Sequence, residues 1–129
     1  MLLNRQKLLD NPKLLGQWGE RYCEKYLKRQ GLKTLTRNFS CRSGEIDLIA
    51  VDRDTTMVFV EVRTRADVRF GPPEASITTV KKKKLLRTAR YFLATHNIED
   101  RPFRFDIVAI VLSQSDQPQI NHYKNAFVP

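Results

Sequence analysis

Cysteine is scarce in this sequence, which contains only Cys23 and Cys41. They match neither a Cys-x-x-Cys motif nor a zinc-ligand spacing and are too few for a disulfide framework, so both read as reduced thiols. Long apolar runs are missing as well, which excludes a membrane-spanning helix. Met1 to Leu15 carries Arg5, Lys7, Asp10 and Lys13 and lacks the unbroken apolar stretch of a secretory signal. A cytoplasmic protein with no membrane partner is the expectation. Glycine and proline number five and six and are scattered, so neither a fibrous repeat nor a disordered tract is indicated. The two histidines, His96 and His122, have no second ligand at metal spacing and are read as core or hydrogen-bonding residues. Ser43 and Cys41 lack a partnered histidine or an elbow motif, so nucleophilic catalysis has no support.

What the chain has in excess is positive charge. Its 129 residues hold 23 Lys and Arg against 14 Asp and Glu, a net +9 that biases encounters toward polyanions. The length suits one domain spanning 1–129, with residues 1–13 as a peripheral N-terminal segment. From Leu14 the residues Leu15, Trp18, Tyr22, Cys23, Tyr26 and Leu27 recur at helical spacing until Gly31, with Glu20 on the border of the packed stripe. A polar link containing Asn38 and Ser40 follows. Glu45–Val51 and Met57–Arg63 read as strands joined by a turn at Asp52–Thr56. Thr64–Ser76, with Gly71-Pro72-Pro73, reads as an ordered loop at the edge of a cleft. Thr78 or Thr79 caps a second helix that runs to His96, and Phe105–Leu112 is a strand buried on both faces, followed by a short strand over Ile120–Tyr123. The order helix, strand, strand, helix, strand argues for an α/β fold with a mixed sheet flanked by helices.

If the hairpin closes symmetrically about Asp54, Asp47 stands opposite Glu61 and Glu45 opposite Arg63. Directly opposed side chains share a face with Cβ atoms about 5 Å apart, so two carboxylates would be forced together. From the residues alone two readings stand level: solvated acids balanced by Arg63 and Arg65, or a site for a divalent cation. The flanking residues favour the site. Ile46, Leu48, Ile49 and Ala50 surround Asp47, and Val58, Val60 and Val62 surround Phe59 and Glu61, so the acids interrupt apolar strands where an unpaired charge is costly. Mg²⁺ or Mn²⁺ would bridge the carboxylates and activate water against a phosphodiester.

Gly44-Glu45-Ile46-Asp47-Leu48-Ile49-Ala50 followed by Phe59-Val60-Glu61-Val62-Arg63 resembles the YraN family of bacterial endonuclease-like proteins. The resemblance extends to Gly16-Gln17-Trp18-Gly19-Glu20, Phe105-Asp106-Ile107-Val108-Ala109 and Asn125-Ala126-Phe127. That family is similar to the PD-(D/E)XK nucleases and, within them, to archaeal Holliday junction resolvases. The resemblance implies a restriction-endonuclease-like mixed sheet flanked by helices. It also implies a metal site of Asp47, Glu61, the Val62 carbonyl and a helix-borne Glu20, with Lys81 as a basic residue opening the second helix. At the position of the family's catalytic lysine this chain has Arg63, whose guanidinium, with a pKa above about 12, is a poor proton acceptor. Arg63 would instead neutralise phosphate or position water.

Lys81-Lys82-Lys83-Lys84, with Arg87 and Arg90, places positive charge at a helix N-terminus that is itself positive. Lys81 falls on the packed side and Lys82 and Lys83 on the solvent side. Lys81, Lys82, Lys84, Arg65 and Arg69 are the expected nucleic-acid contacts. Trp18, Tyr22 and Tyr26 are expected to be core residues and not a base-stacking platform. The leading reading is a metal-dependent endonuclease acting on DNA in preference to RNA, with branched DNA and a homodimer left open. A nucleic-acid-binding module without turnover ranks second, and a basic interaction protein with incidental acids third.

Overall fold

Asn11 and Pro12 do more than interrupt the opening segment. The Asn11 side chain accepts a hydrogen bond from the Leu14 N–H, and Pro12 takes the first helical position of α2 (Pro12–Arg29), where its missing N–H costs nothing. A short α1 (Arg5–Leu9) precedes it and buries no residue. The stripe of α2 that is buried contains Gly19, Cys23 and Leu27. The helix stops at Gly31, whose φ of +90° favours glycine, with the Leu32 N–H returning to the Leu27 carbonyl at 2.9 Å.

This computed structural model describes residues 4–66, 77–112 and 117–128. Its remaining elements are β1 (Lys33–Cys41), β2 (Gly44–Val51), β3 (Met57–Arg65), α3 (Thr79–Thr95), β4 (Phe103–Val111) and β5 (Gln119–Tyr123). They form a five-stranded sheet in the order β1-β2-β3-β4-β5. β1, β2 and β3 are antiparallel neighbours, β3 and β4 are parallel with α3 in the crossover between them, and β5 is antiparallel to β4. The mixed α/β architecture is as expected from the element order. β1 corrects the sequence reading, which had a polar link there. It lies at the sheet edge, alternates exposed and half-buried residues without a fully buried one, and its Lys, Thr, Arg and Ser side chains suit an edge exposed to water.

The sheet has a helix on each face. Met57, Phe59, Phe105 and Ile107 pack with Leu85, Ala89, Phe92 and Leu93 of α3. Leu48, Ala50, Val58, Val60, Val108 and Ile110 pack with Cys23 and Leu27 of α2. Trp18, Tyr22 and Tyr26 pack against this second cluster, with Trp18 and Tyr22 stacked at 5.0 Å, as core aromatics do. No described helix is long and apolar enough to cross a membrane.

β2 and β3 pair Leu48 with Val60 and Val51 with Met57, the register expected from closure about Asp54. That ladder ends at Leu48, so neither the expected Asp47–Glu61 pair nor the expected Glu45–Arg63 pair forms part of it, and Glu45 pairs with Ser40 of β1. The reason lies beside Asp47. Ile46 and Leu48, two residues apart, pack on opposite faces of the sheet, so strict alternation breaks at Asp47. In β1, Asn38 takes a φ of +51° at the corresponding step. This irregularity frees the Asp47 side chain from an ordinary cross-strand pairing.

Candidate metal and nucleic-acid site

Asp47 lies where the β2–β3 ladder has just ended. The Val62 N–H donates to Asp47 Oδ2 at 2.8 Å, so the carboxyl takes a backbone donor from β3. Burial, and then the charge of Glu61, push the Asp47 carboxyl up to about 7. Glu20 adds to the shift, and the Val62 N–H and Lys81 oppose it. The structure thus brings Glu61 near enough for its charge to raise the Asp47 carboxyl.

Glu61, on β3, faces α3. Lys81 Nζ in the first turn of that helix donates to Glu61 Oε1 at 3.0 Å, and Arg63 Nε stands 3.7 Å from the same oxygen. Arg63 is largely buried, and its Nε is without a hydrogen-bond partner. Lys81 therefore occupies the inward position its spacing predicted. The α3 N-terminus is capped by Thr78, whose hydroxyl accepts from the Lys81 N–H at 3.1 Å.

Glu20 reaches the same region from α2, and its carboxyl is raised by burial first, with Glu61 and Glu45 adding and a hydrogen bond from Asn38 opposing. Helix and sheet come together at Gly19. A Cβ there would overlap the Thr64 side chain of β3, so glycine permits the approach that carries Glu20 toward Asp47. Asn38 is the residue that sequence reasoning missed. Its place in a polar stretch marked it as linker, and the usable signal was the tolerance of asparagine for positive φ.

The basic residues divide. Lys84 is exposed and lines, with Lys81, Gly44 and Glu45, a cavity of about 360 Å³ between the start of β2 and the start of α3. Lys82 departs from the expectation of a solvent-facing residue: it is half-buried, with Nζ 5.6 Å from the centre of the Phe127 ring. The C-terminal Phe127 packs under the sheet on the α3 side and offers that ring face. Arg65 is half-buried at the end of β3 and its carbonyl accepts from the Leu112 N–H at 2.8 Å. Arg69 and the Gly71-Pro72-Pro73 loop lie outside the described residues.

The donor set fits a hard divalent cation in kind, since it consists of carboxylates whose proximity already raises proton affinity. Among the described residues, however, no three His, Cys, Asp or Glu side chains are gathered closely enough to hold a metal as they stand. A cation on Glu61 would also compete with the Lys81 ammonium.

His122 and Asp106 belong to a separate network. Asp106 is fully buried and accepts from His122 Nε2 at 2.8 Å, Arg104 Nε at 2.9 Å and the Asn125 N–H at 2.9 Å. The other His122 nitrogen meets the Tyr26 hydroxyl at 3.1 Å. His96 ends α3, with Nδ1 2.8 Å from the Phe92 carbonyl. Both histidines thus have the hydrogen-bonding roles expected of them.

The molecule is a mixed α/β protein with an acidic cluster, flanked by cations, at one end of the sheet between its helices. It belongs to the uncharacterised protein family UPF0102, whose sequence model matches residues 19–110, the family to which the YraN resemblance points. Relatives include a UPF0102 protein of Geotalea uraniireducens, 44% identical over 115 residues that cover 89% of this chain and 90% of the relative. Another, from Caldicellulosiruptor saccharolyticus, is 40% identical and is matched over 91% of this chain and 99% of its own length. Among solved structures, a repair endonuclease from Pyrococcus abyssi matches 72% of this chain with a TM-score of 0.41 and 20% identity, and this chain spans 35% of it. A structure of EndoMS with double-stranded DNA matches 91% of this chain with a TM-score of 0.29 and 16% identity, and this chain spans 48% of it. Likenesses this distant carry no weight for activity.

Proposed function

We propose that this protein binds DNA and hydrolyses its phosphodiester bonds with Mg²⁺ or Mn²⁺ held at Asp47 and Glu61. The carrying observation is the Asp47 carboxyl, buried beside Glu61 and pushed up to about 7. An added cation would relieve that shift. Glu20 and the Val62 carbonyl would complete the ligand set. The metal supplies charge to polarise the phosphate and lower the pKa of a water.

The chain's own residues do the rest. Arg63 brings a fixed positive charge beside Glu61, suited to offset the charge of a bound phosphate. Lys81 brings the ammonium that β3 lacks, from the neighbouring helix, and Lys84 extends the positive wall along the cavity. Branched DNA is included in the proposal as the substrate class to test first. The free thiols of Cys23 and Cys41 accord with a reducing compartment, and the cytoplasm is the proposed location.

The test is cleavage of branched, linear duplex and single-stranded DNA with Mg²⁺, Mn²⁺ or EDTA. Asp47→Asn is expected to abolish metal-dependent cleavage while leaving affinity for DNA within several-fold, because it removes a ligand and not a phosphate contact. Unchanged cleavage by the variant would sink the site. A parent protein that binds DNA and cleaves none of these substrates would favour a binding module without turnover.

A further inference from the structure

A second basic surface lies on the opposite side of the acidic cluster from α3, and neither the helix spacing nor the motifs pointed to it. A groove of about 960 Å³ runs between the outer part of α2 and the edge strand β1, lined by Arg21, Lys25, Lys28, Lys33 and Arg37, with Glu24 the one acid among the described lining residues. Arg21, Lys25 and Lys28 fall at intervals of four and three residues and so share one face of α2. All five basic residues are exposed. Glu24 offsets one of these cations, Arg37, in a two-pronged ion pair that fixes the guanidinium at the groove wall, and the lining stays net positive with Arg21, Lys25, Lys28 and Lys33.

The groove is not isolated from the site. A smaller cavity of about 250 Å³ shares Arg21, Glu24 and Arg37 with it and is also lined by Glu20, Asn38 and Leu48. Leu48 adjoins Asp47 in β2, and Asn38 is the hydrogen-bond partner of Glu20. The groove and the smaller cavity are therefore neighbours with Arg21 and Arg37 between them, and Glu20 of the acidic cluster lines the smaller one. Among the described residues no aromatic side chain lines this groove, so they give it charge for phosphates and no platform for stacked bases.

We infer that this α2–β1 groove holds the sugar-phosphate backbone of a duplex DNA arm that extends from the acidic cluster, opposite the wall formed by α3. The inference rests on the proposed DNA-binding reading and adds the path of the substrate. Arg21 to Lys28 spans about 10 Å of helix, comparable to the axial rise of about three nucleotides of one strand of a duplex. The two basic walls then flank the carboxylates, and a backbone that touches both is carried across them.

The test uses the full chain and a duplex DNA probe read by fluorescence anisotropy over a series of salt concentrations. Each neutralised phosphate contributes about 0.9 to the slope of log affinity against log salt. A Lys25→Gln, Lys28→Gln, Lys33→Gln variant is expected to bind more weakly at low salt and to flatten the slope by about 2.7 units if each lysine neutralises one phosphate. A second variant, Lys28→Glu alone, is expected to weaken binding more than Lys28→Gln, with an unchanged circular dichroism spectrum. Lys83→Gln, Lys84→Gln serves as the comparison on α3. If that variant flattens the slope while the groove variants leave slope and affinity unaltered, the groove is overturned and the DNA-binding reading survives. If the parent protein shows no salt-dependent binding to any DNA, that reading fails and the groove with it.

Discussion

At Asp47, burial and two neighbouring carboxylates act on one proton. The unfolded chain releases that proton near pH 3.9, whereas the folded protein holds it up to about 7. The contribution to stability is therefore complete below the unfolded value and lost as pH rises through the folded one. In EDTA, Asp47→Asn is expected to be more stable than the parent at about pH 8 by more than about 1.4 kcal/mol, the equivalent of one pKa unit. Urea melts should show the gap closing toward about pH 4, and a gap independent of pH would contradict the assigned causes. Arg63 poses a different question, since it stands where the resemblance to the PD-(D/E)XK nucleases implies a catalytic lysine. Arg63→Lys is expected to preserve or raise cleavage and Arg63→Ala to depress it, measured as single-turnover rates under saturating metal. A Lys variant slower than the Ala variant would mean that guanidinium geometry is itself required.

At the scale of elements, the site depends on how closely α2 approaches β3. Gly19 is buried, and an added Cβ would lie 2.9 Å from the Thr64 Cβ and closer still to its hydroxyl. Overpacking of this kind costs about 1–3 kcal/mol. Gly19→Ala is expected to lose stability in that range and to lower cleavage further than stability explains, because Glu20 moves with the helix. Thr64→Ala in the same chain should recover part of both losses, a coupling that a double-mutant cycle measures. Additive losses would show that the two residues do not meet. The opposite helix contributes differently. α3 places Lys81 on Glu61 and Lys82 over Phe127, so part of its lysine run is engaged with the protein and the remainder faces solvent.

Across the whole molecule, the Asp106 network joins parts of the chain that the hairpin does not. It links β4 to β5 through His122, to the β2–β3 turn through Arg104 and Asp52, to α2 through Tyr26, and to the C-terminal segment through Asn125. Burial pushes the Asp106 carboxyl up, but the bonds from His122, Arg104 and the Asn125 N–H outweigh it and hold the group below the usual carboxylate range. Its stabilisation is present above the unfolded pKa of about 3.9 and is lost as pH falls through the lower folded value. The parent protein is therefore expected to lose stability steeply below about pH 4. Asp106→Asn should cost about 3 kcal/mol at neutral pH, as breaking a buried ion pair does, and should flatten the acid limb of a thermal melt series. An acid limb unchanged by the substitution would remove Asp106 from this role.

The hydrophobic spacing of the chain by itself determined both long helices and the strand buried on both faces, while closure about Asp54 gave the β2–β3 register from Leu48 to Val51. Each buries enough apolar surface for its period to be visible in the residues. The motif around Asp47 and Glu61 was equally legible, because acids within apolar strands stand out. β1 was not legible, since an edge strand exposed to water needs no apolar repeat. Nor was the break in alternation at Asp47 opposite Asn38, because a one-residue irregularity depends on how neighbouring strands pack and leaves the composition unchanged. That Lys81 meets Glu61, and not only that it faces inward, that Asp106 belongs to a structural network and not to the acidic cluster, and that basic residues of α2 and β1 form one groove were decided by the tertiary structure alone. Those are distances between residues far apart in the chain, and only the packing of both helices on the sheet sets them.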